Sequence, residues 1–376
     1  MNFGFSEEQE LLRKTARDFL AERAPMKAVR EIMESGAGHS PELWRAMAEL
    51  GWTGLLFPEG YGGVGLGLIE LSIVLEELGR SLAPVPFLPT MIAGTAISEA
   101  GDEAQKREWL TRIAEGRAVA TLAIAEERGS ERPADLELPA RRSGTGWSLS
   151  GRKLFVPDAG IADVLVVAAR TGGDAENGLG LFLVPRETPG VRVESMRSMD
   201  LLRRLHEVAF EDVELPATAL LGGRAEAGAA LQRSLDRALV MICAEMVGGA
   251  EKCLEDSVRY AKERVQFGKP IGVNQSIKHK CADMLFQVES ARSITYYAAW
   301  MAQQGHEEAA LTAAMAKSYV SDAYRHCAAE NIQIHGGVGF TWEYDCHLYF
   351  KRSKSDESWL GDGPAHRERV AQMIHV

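Results

Sequence analysis

Residues Arg259–Gln275 read RYAKERVQFGKPIGVNQ. The segment begins as helix and stops at Gly268. Pro270 forbids its continuing, because proline has no N–H to donate and its ring clashes with the preceding turn. Arg264, Gln266 and Phe267 crowd the broken end. Arginine presents a planar fork suited to a phosphate or pyrophosphate. Phe267 is able to cover a ring system, and Gln266 and Gln275 offer amides to polar ligand edges. A plainer reading stands beside this one: Gly268 and Pro270 end a helix, Arg264 pairs with an acid, and Phe267 is core.

Working outward, helical periodicity extends back from Arg264 to about Gly228. It resumes over roughly 275–304, 308–335 and 364–375. Upstream lie short β-rich runs, 119–125, 147–156, 164–169, 179–184 and 208–215, separated by turn residues. They predict an antiparallel sandwich or barrel of about 100 residues. The first 115 or so residues are helical in pattern. Ser6 and Gln9 form a capping box ahead of Leu12, Ala16 and Phe19. Ser40-Pro41-Glu42 reads as an N-cap, a first-turn proline and a first-turn acid. A Gly-rich loop, FPEGYGGVGLG, occupies 57–67, and 69–82 is apolar enough for a buried helix. The expected fold is α+β in three parts: a helical domain over 1–117, a β domain over 118–222 and a helical bundle over 223–376.

Composition excludes several functions. The chain has 376 residues, 46% hydrophobic and 25% charged, with a net charge of −11. That range is ordinary for globular domains. An acidic protein repels phosphate backbones, so no nucleic-acid partner is expected. No apolar run reaches the length of a membrane span. The start MNFGFSEEQELLRK lacks the basic and apolar regions of a signal peptide. The five cysteines form no C-x-x-C pair and read as free thiols. The expectation is a cytoplasmic protein without a metal centre.

A second stretch, NIQIHGGVGFTWEY over 331–344, again ends a helix in glycines. Gly336 and Gly337 let a backbone approach a ligand closely, and Gln333 lies one turn before them. The plain alternative is a glycine C-cap.

Together, and in this order, these stretches resemble the acyl-CoA dehydrogenase family of flavoproteins. RVQFGKPI, QIHGGVGF, FPEGYGGVG and GRKLFVPDA carry the resemblance, which spans nearly the whole chain. It implies an N-terminal helical domain, a central β domain and a C-terminal four-helix bundle, with FAD between them. It implies that two segments reach across a subunit interface to a neighbour's FAD. Arg264, Gln266 and Phe267, with Gln275 near them, would take the pyrophosphate and adenosine side. Gln333, Gly336 and Gly337 would take the adenine end. The implied reaction is α,β-dehydrogenation of an acyl-CoA thioester, with a carboxylate removing the α-proton and a hydride passing to flavin N5. The implied partners are an electron-transfer flavoprotein or other acceptor and further subunits, as a homodimer, homotetramer or hetero-oligomer.

The chain departs from the family pattern in several places. Where the family often has a Thr-Glu-Pro…Gly-Ser-Asp loop, residues 125–132 read AEERGSER. Ala125 replaces a hydroxyl that in the family often bonds the flavin ring, while by the resemblance Ser130 would still contact the pyrophosphate. Phe155 and Pro157 stand where Trp and Thr are frequent. The family's catalytic glutamate before a late glycine is Leu360 here, which cannot accept a proton. Asp362 is close, but Gly363-Pro364 opens a helix that Asp362 would cap. Glu245 is the other candidate base. It lies on one helical stripe with Leu231, Leu235, Ala238, Ile242 and Gly249, so its carboxylate points where a core residue belongs. Burial would raise its pKa, as a base requires. The alternative is a buried glutamate satisfied by an arginine or a backbone group. Without a base of its own, the chain would be a non-catalytic subunit completing another chain's FAD site.

Overall fold

Ser6 and Gln9 open the first helix with a reciprocal cap. The Gln9 N–H reaches Ser6 Oγ at 3.2 Å and the Ser6 N–H reaches Gln9 Oε1 at 3.0 Å. Two donors that a helix start leaves unpaired are thereby satisfied. From there the computed structural model, which describes residues 4–172, 178–224 and 227–376, runs helix, strand, helix. The first part holds α1 (Glu7–Arg23), α2 (Met26–Ser35), α3 (Pro41–Glu49), α4 (Leu68–Ser81), α5 (Phe87–Ala100) and α6 (Glu103–Ala114). The strands follow: β1 (Ala120–Ala123), β2 (Ala140–Ser143), β3 (Gly146–Pro157), β4 (Val164–Arg170), β5 (Leu179–Pro185), β6 (Val191–Ser195) and β7 (Leu205–Leu215). The last part is α7 (Gly228–Glu263), a short hairpin of β8 (Val265–Gln266) and β9 (Lys269–Pro270), α8 (Gln275–Gln303), α9 (Ala309–His335), α10 (Cys346–Ser358) and α11 (Gly363–Met373).

Two compact units are assembled from separated stretches. One comprises 1–36, 68–84 and 239–376, the other 37–67 and 85–238. In the second unit, β1, β4 and β5 form one sheet and β2, β3, β7 and β6 another, in that order. Trp147 meets Phe182 edge-on at 5.4 Å between the sheets. The expectation of a purely antiparallel domain is corrected in one place: β1 pairs parallel with β4, Ala120 opposite Val164. A parallel pair needs a crossover, and the β2–β3 ribbon supplies it. The polar edge strands β2 and β6 were not expected, since β2 buries a single residue and β6 none.

In the first unit, α7 crosses α4 at small residues. A Cβ on Gly79 would lie 2.0 Å from the Glu245 carbonyl, and one on Gly248 would lie 1.7 Å from the Glu76 carbonyl. Only glycine permits that approach. The crossing buries the middle of α7, including Glu245, beneath a neighbouring backbone.

Candidate functional site

The broken end of α7 is a tight hairpin. The Arg264 N–H closes the helix on the Tyr260 carbonyl, and the Ile271 N–H returns to the Arg264 carbonyl, each at 2.8 Å. Phe267 (φ 51°) and Gly268 (φ 76°) form its two-residue turn. Positive φ at both positions is the type I′ pattern, which favours Asn-Gly. Phenylalanine at the first position is strained by its Cβ. Its ring is fully exposed, at 103% of the reference area. The reading of Phe267 as core is therefore corrected: a two-residue turn projects its side chain away from the chain that makes it. The Arg264 guanidinium has no ion pair or hydrogen bond with another described residue. Gln266 and Gln275 are also exposed. The Gln266 amide donates to the Val265 carbonyl at 2.8 Å, and the Gln275 amide lies 3.4 Å from His279 Nε2.

The same unit brings the second glycine stretch to this place. α9 ends at His335, and Gly336 adopts φ 65° and ψ −143°, a conformation that only glycine takes comfortably. At neither Gly336 nor Gly337 would an added Cβ meet any atom within 4 Å. Gln333 is exposed one turn earlier. An open recess of about 430 Å³ lies between the two stretches, lined by Tyr260, His335 and Tyr344, by Arg259 and Arg264, and by the acids Asp256, Glu263, Glu343 and Asp345, with Arg259 paired to Asp256. The Tyr260 ring stacks on His335 at 4.1 Å, and Tyr344 meets His335 edge-on. His335 Nδ1 lies 2.8 Å from the Asn331 carbonyl. Burial pushes its pKa down, despite that bond, so it is a neutral donor there. The Arg264 guanidinium is the charged donor that a nucleotide diphosphate requires, the exposed Phe267 ring offers a face to stack on, and Gly336 and Gly337 leave room for a ligand beside the backbone, while the Gly336 N–H itself is used by the Gln333 and Ile332 carbonyls. The residues present fit FAD.

Glu245 is buried, 6% exposed, as its stripe predicts. Its carboxylate is already engaged: Arg352 Nη1 of α10 lies 2.6 Å from Glu245 Oε1, and both side chains are buried. This is the geometry expected of a carboxylate satisfied by an arginine. Asp362 caps α11, accepting the Ala365 N–H at 2.9 Å. Leu360 is buried at φ 57°, and His366 Nε2 lies 2.8 Å from its carbonyl. Lys317, wholly buried on α9, donates to the carbonyls of Asp356, Glu357 and Gly361 at 2.8–3.0 Å. The turn after α10 is thus fixed from two sides. Among the described residues no cluster of His, Cys, Asp or Glu suits a metal ion.

Ser130 belongs to the other compact unit. Its hydroxyl donates to Asp135 at 2.6 Å and accepts from the Arg132 N–H at 3.3 Å, so it braces its own loop. The buried Ala125 accepts the Leu154 N–H through its carbonyl at 2.9 Å. Phe155 sits at φ 54° at a register shift of β3, half exposed. Pro157 pairs with Leu205 and its carbonyl accepts the Thr121 hydroxyl. Sequence reasoning missed Tyr260, Arg352 and Lys153. The available signals were a charge inside a strand for Lys153 and, for Tyr260, an aromatic residue one turn before the helix stop.

Comparison with known proteins follows the same geometry. Residues 6–117, 121–213 and 228–375 match the models of the acyl-CoA dehydrogenase N-terminal, middle and C-terminal domains. The chain is 34% identical to acyl-CoA dehydrogenase IpdE2 of Mycolicibacterium smegmatis, over 95% of each protein. Among solved structures it is similar to butyryl-CoA dehydrogenase from Megasphaera elsdenii, with a TM-score of 0.94 and 28% identity over all of both chains. It is also similar to a chain of the ChsE4-ChsE5 complex from Mycobacterium tuberculosis, with a TM-score of 0.90 and 26% identity over 100% and 99% of the two chains.

Proposed function

The chain belongs to the acyl-CoA dehydrogenase family, and from that premise we propose that it is the arm-donating subunit of an oligomer whose catalytic base comes from a different chain of the same family. Its chemistry is the FAD-dependent α,β-dehydrogenation of an acyl-CoA thioester. Bound FAD supplies the hydride acceptor. This chain's part is to hold the nucleotide end of a neighbour's FAD. Arg264 would take the pyrophosphate, Phe267 would cover a ring, and Gln266 and Gln275 would meet polar edges. Gln333 and the bare backbone of Gly336 and Gly337 would receive the adenine. Ser130 would act from the β domain.

The observation that carries this reading is that both candidate carboxylates are already committed. Abstraction of an α-proton needs a carboxylate made more basic by an apolar site. Arg352, 2.6 Å from Glu245, holds that carboxylate in a buried ion pair, so it is not presented to a substrate. Asp362 serves a helix cap. The similarity to a chain of the ChsE4-ChsE5 complex supports a partner of a second kind. An electron-transfer flavoprotein is the proposed acceptor for the electrons.

A second reading keeps Glu245 as the base in a homodimer or homotetramer. One observation favours it: a buried carboxylate on an otherwise apolar stripe of α7. Flavin content and anaerobic bleaching by a panel of acyl-CoA thioesters separate the two. The proposal expects the chain alone to hold little flavin and to bleach none. Co-expression with its partner chain should restore both, and Glu245→Gln in the folded complex should still bleach. A yellow, bleachable homo-oligomer in which Glu245→Gln keeps its flavin and loses bleaching would overturn it.

A further inference from the structure

Lys153, on β3, is wholly buried. A buried ammonium costs several kcal/mol unless its partners compensate, so where its bonds go is informative. Its Nζ donates to the Ile124 carbonyl at 2.9 Å and to Glu126 Oε1 at 2.6 Å. The same carboxylate accepts the Glu137 N–H at 2.7 Å and the Leu138 N–H at 2.9 Å. One carboxylate therefore gathers both ends of the loop 126–138. From β4, Arg170 reaches the loop's inward carbonyls: Leu136 at 2.7 Å, Pro133 at 2.7 Å and Ala134 at 3.0 Å. Its own N–H meets the Leu138 carbonyl at 2.6 Å. The tip is exposed by contrast: Glu127, Arg128 and Gly129 face solvent, with Arg128 paired to Glu137 at 2.9 Å and Glu127 to Arg152 at 3.4 Å.

We propose that Lys153 and Arg170 are positioning residues that clamp the base of the 126–138 loop and so present its tip, with Ser130, to the flavin. What the loop meets rests on the family reading above, while how it is held rests on these contacts alone. Backbone carbonyls turned into a protein need donors, and two cations on adjacent sequence strands supply them here without help from any ligand. The clamp is also sensitive to pH. Burial pushes the Lys153 ammonium down to about 8, against the pull of Glu126, and the Arg170 guanidinium adds to the lowering. For Glu126, burial acts upward, but Lys153 and the two loop N–H groups outweigh it and hold the carboxyl below its usual range. Glu126 and Arg170 are the charged groups that act on Lys153. Above pH 8 Lys153 loses its charge, and the ionic part of the clamp goes with it.

The test uses the full chain, with its partner if that is what brings flavin. Amide exchange of residues 126–138 and the FAD dissociation constant are measured for the parent, Lys153→Met, Lys153→Arg and Glu126→Gln. Lys153→Met should speed exchange at Glu137 and Leu138 and weaken FAD binding about tenfold, the equivalent of one lost charge-assisted hydrogen bond. Lys153→Arg should recover part of both. Raising the pH from 7 to 9 should weaken FAD binding in the parent and leave Lys153→Arg unmoved. If Lys153→Met does not fold, Glu126→Gln, which keeps its carbonyl acceptor, carries the same two expectations. A loop that stays protected, or one that loosens with FAD affinity unchanged, would overturn the positioning role. A parent that binds no FAD in any pairing fails the proposed function instead, and exchange still reports on the clamp.

Discussion

Phe267 and Lys153 each stand where the other kind of residue belongs. The phenylalanine is fully bare on a strained turn, and the lysine has no exposed surface at all. Every donor bond that explains Lys153 is made by its own unit: Ile124, Glu126 and, through Glu126, the loop ends. No contact of that kind explains Phe267. Strain that persists without a local reward points to a requirement elsewhere. Lys153 is thus completed within its own unit, whereas under the proposed function the hairpin is completed from outside. Substitutions on the buried side should be read first in folding or local exchange, and those on the hairpin in ligand and partner binding alone.

The largest effect is expected where a buried charge loses its partner. Arg352→Ala removes the ion pair that holds the buried Glu245, and breaking such a pair costs about 3–5 kcal/mol. Chemical denaturation should show the loss directly. An apolar pair, Glu245→Leu with Arg352→Met, should recover much of it, because the desolvation of both ions is removed together. A mild Arg352→Ala phenotype would mean that Glu245 is not held by this pair, and would restore it as a base.

On the hairpin side the larger expectation attaches to Arg264. A charge-assisted bond to a phosphate contributes about 1.5–3 kcal/mol, so Arg264→Ala should weaken FAD retention about tenfold or more. Its denaturation midpoint should hardly move, since the guanidinium has no described partner to lose. Loss of stability with unchanged flavin affinity would erase the contrast between the two regions.

Much of this contrast was legible in the sequence, and the illegible parts share a cause. Ser6, Ser40 and Asp362 announce helix starts because capping is local, and each caps as expected. The stop at Gly268-Lys269-Pro270 is equally local. The parallel pairing of β1 with β4 is not, because nothing within either strand names a partner some forty residues away. α10 was missed because its buried face is largely polar, with the ions Arg352 and Asp356: they, His347 and Ser353 face inward beside Leu348 and Tyr349. Hydrophobic periodicity cannot find a helix that buries ions. For the same reason the stripe on α7 gave the depth of Glu245 but not Arg352, which satisfies it. Lys153 and Arg170 carry charges that a sequence reading assigns to the surface. Only the fold shows them turned onto the 126–138 loop.

The smallest and sharpest test exchanges one exposed side chain for another. At a positive φ asparagine is several times more at ease than phenylalanine, and a surface position with no packing partner contributes within about 0.5 kcal/mol. Phe267→Asn should therefore leave the denaturation midpoint unchanged or raise it slightly, by relieving the first position of a type I′ turn. If the ring covers part of a bound nucleotide, the same variant should lose flavin faster on gel filtration. Stability kept and flavin lost is the outcome that no structural role for Phe267 produces. Stability lost would mean that the ring packs against its own chain in solution, and the hairpin would then join the regions that the chain completes by itself.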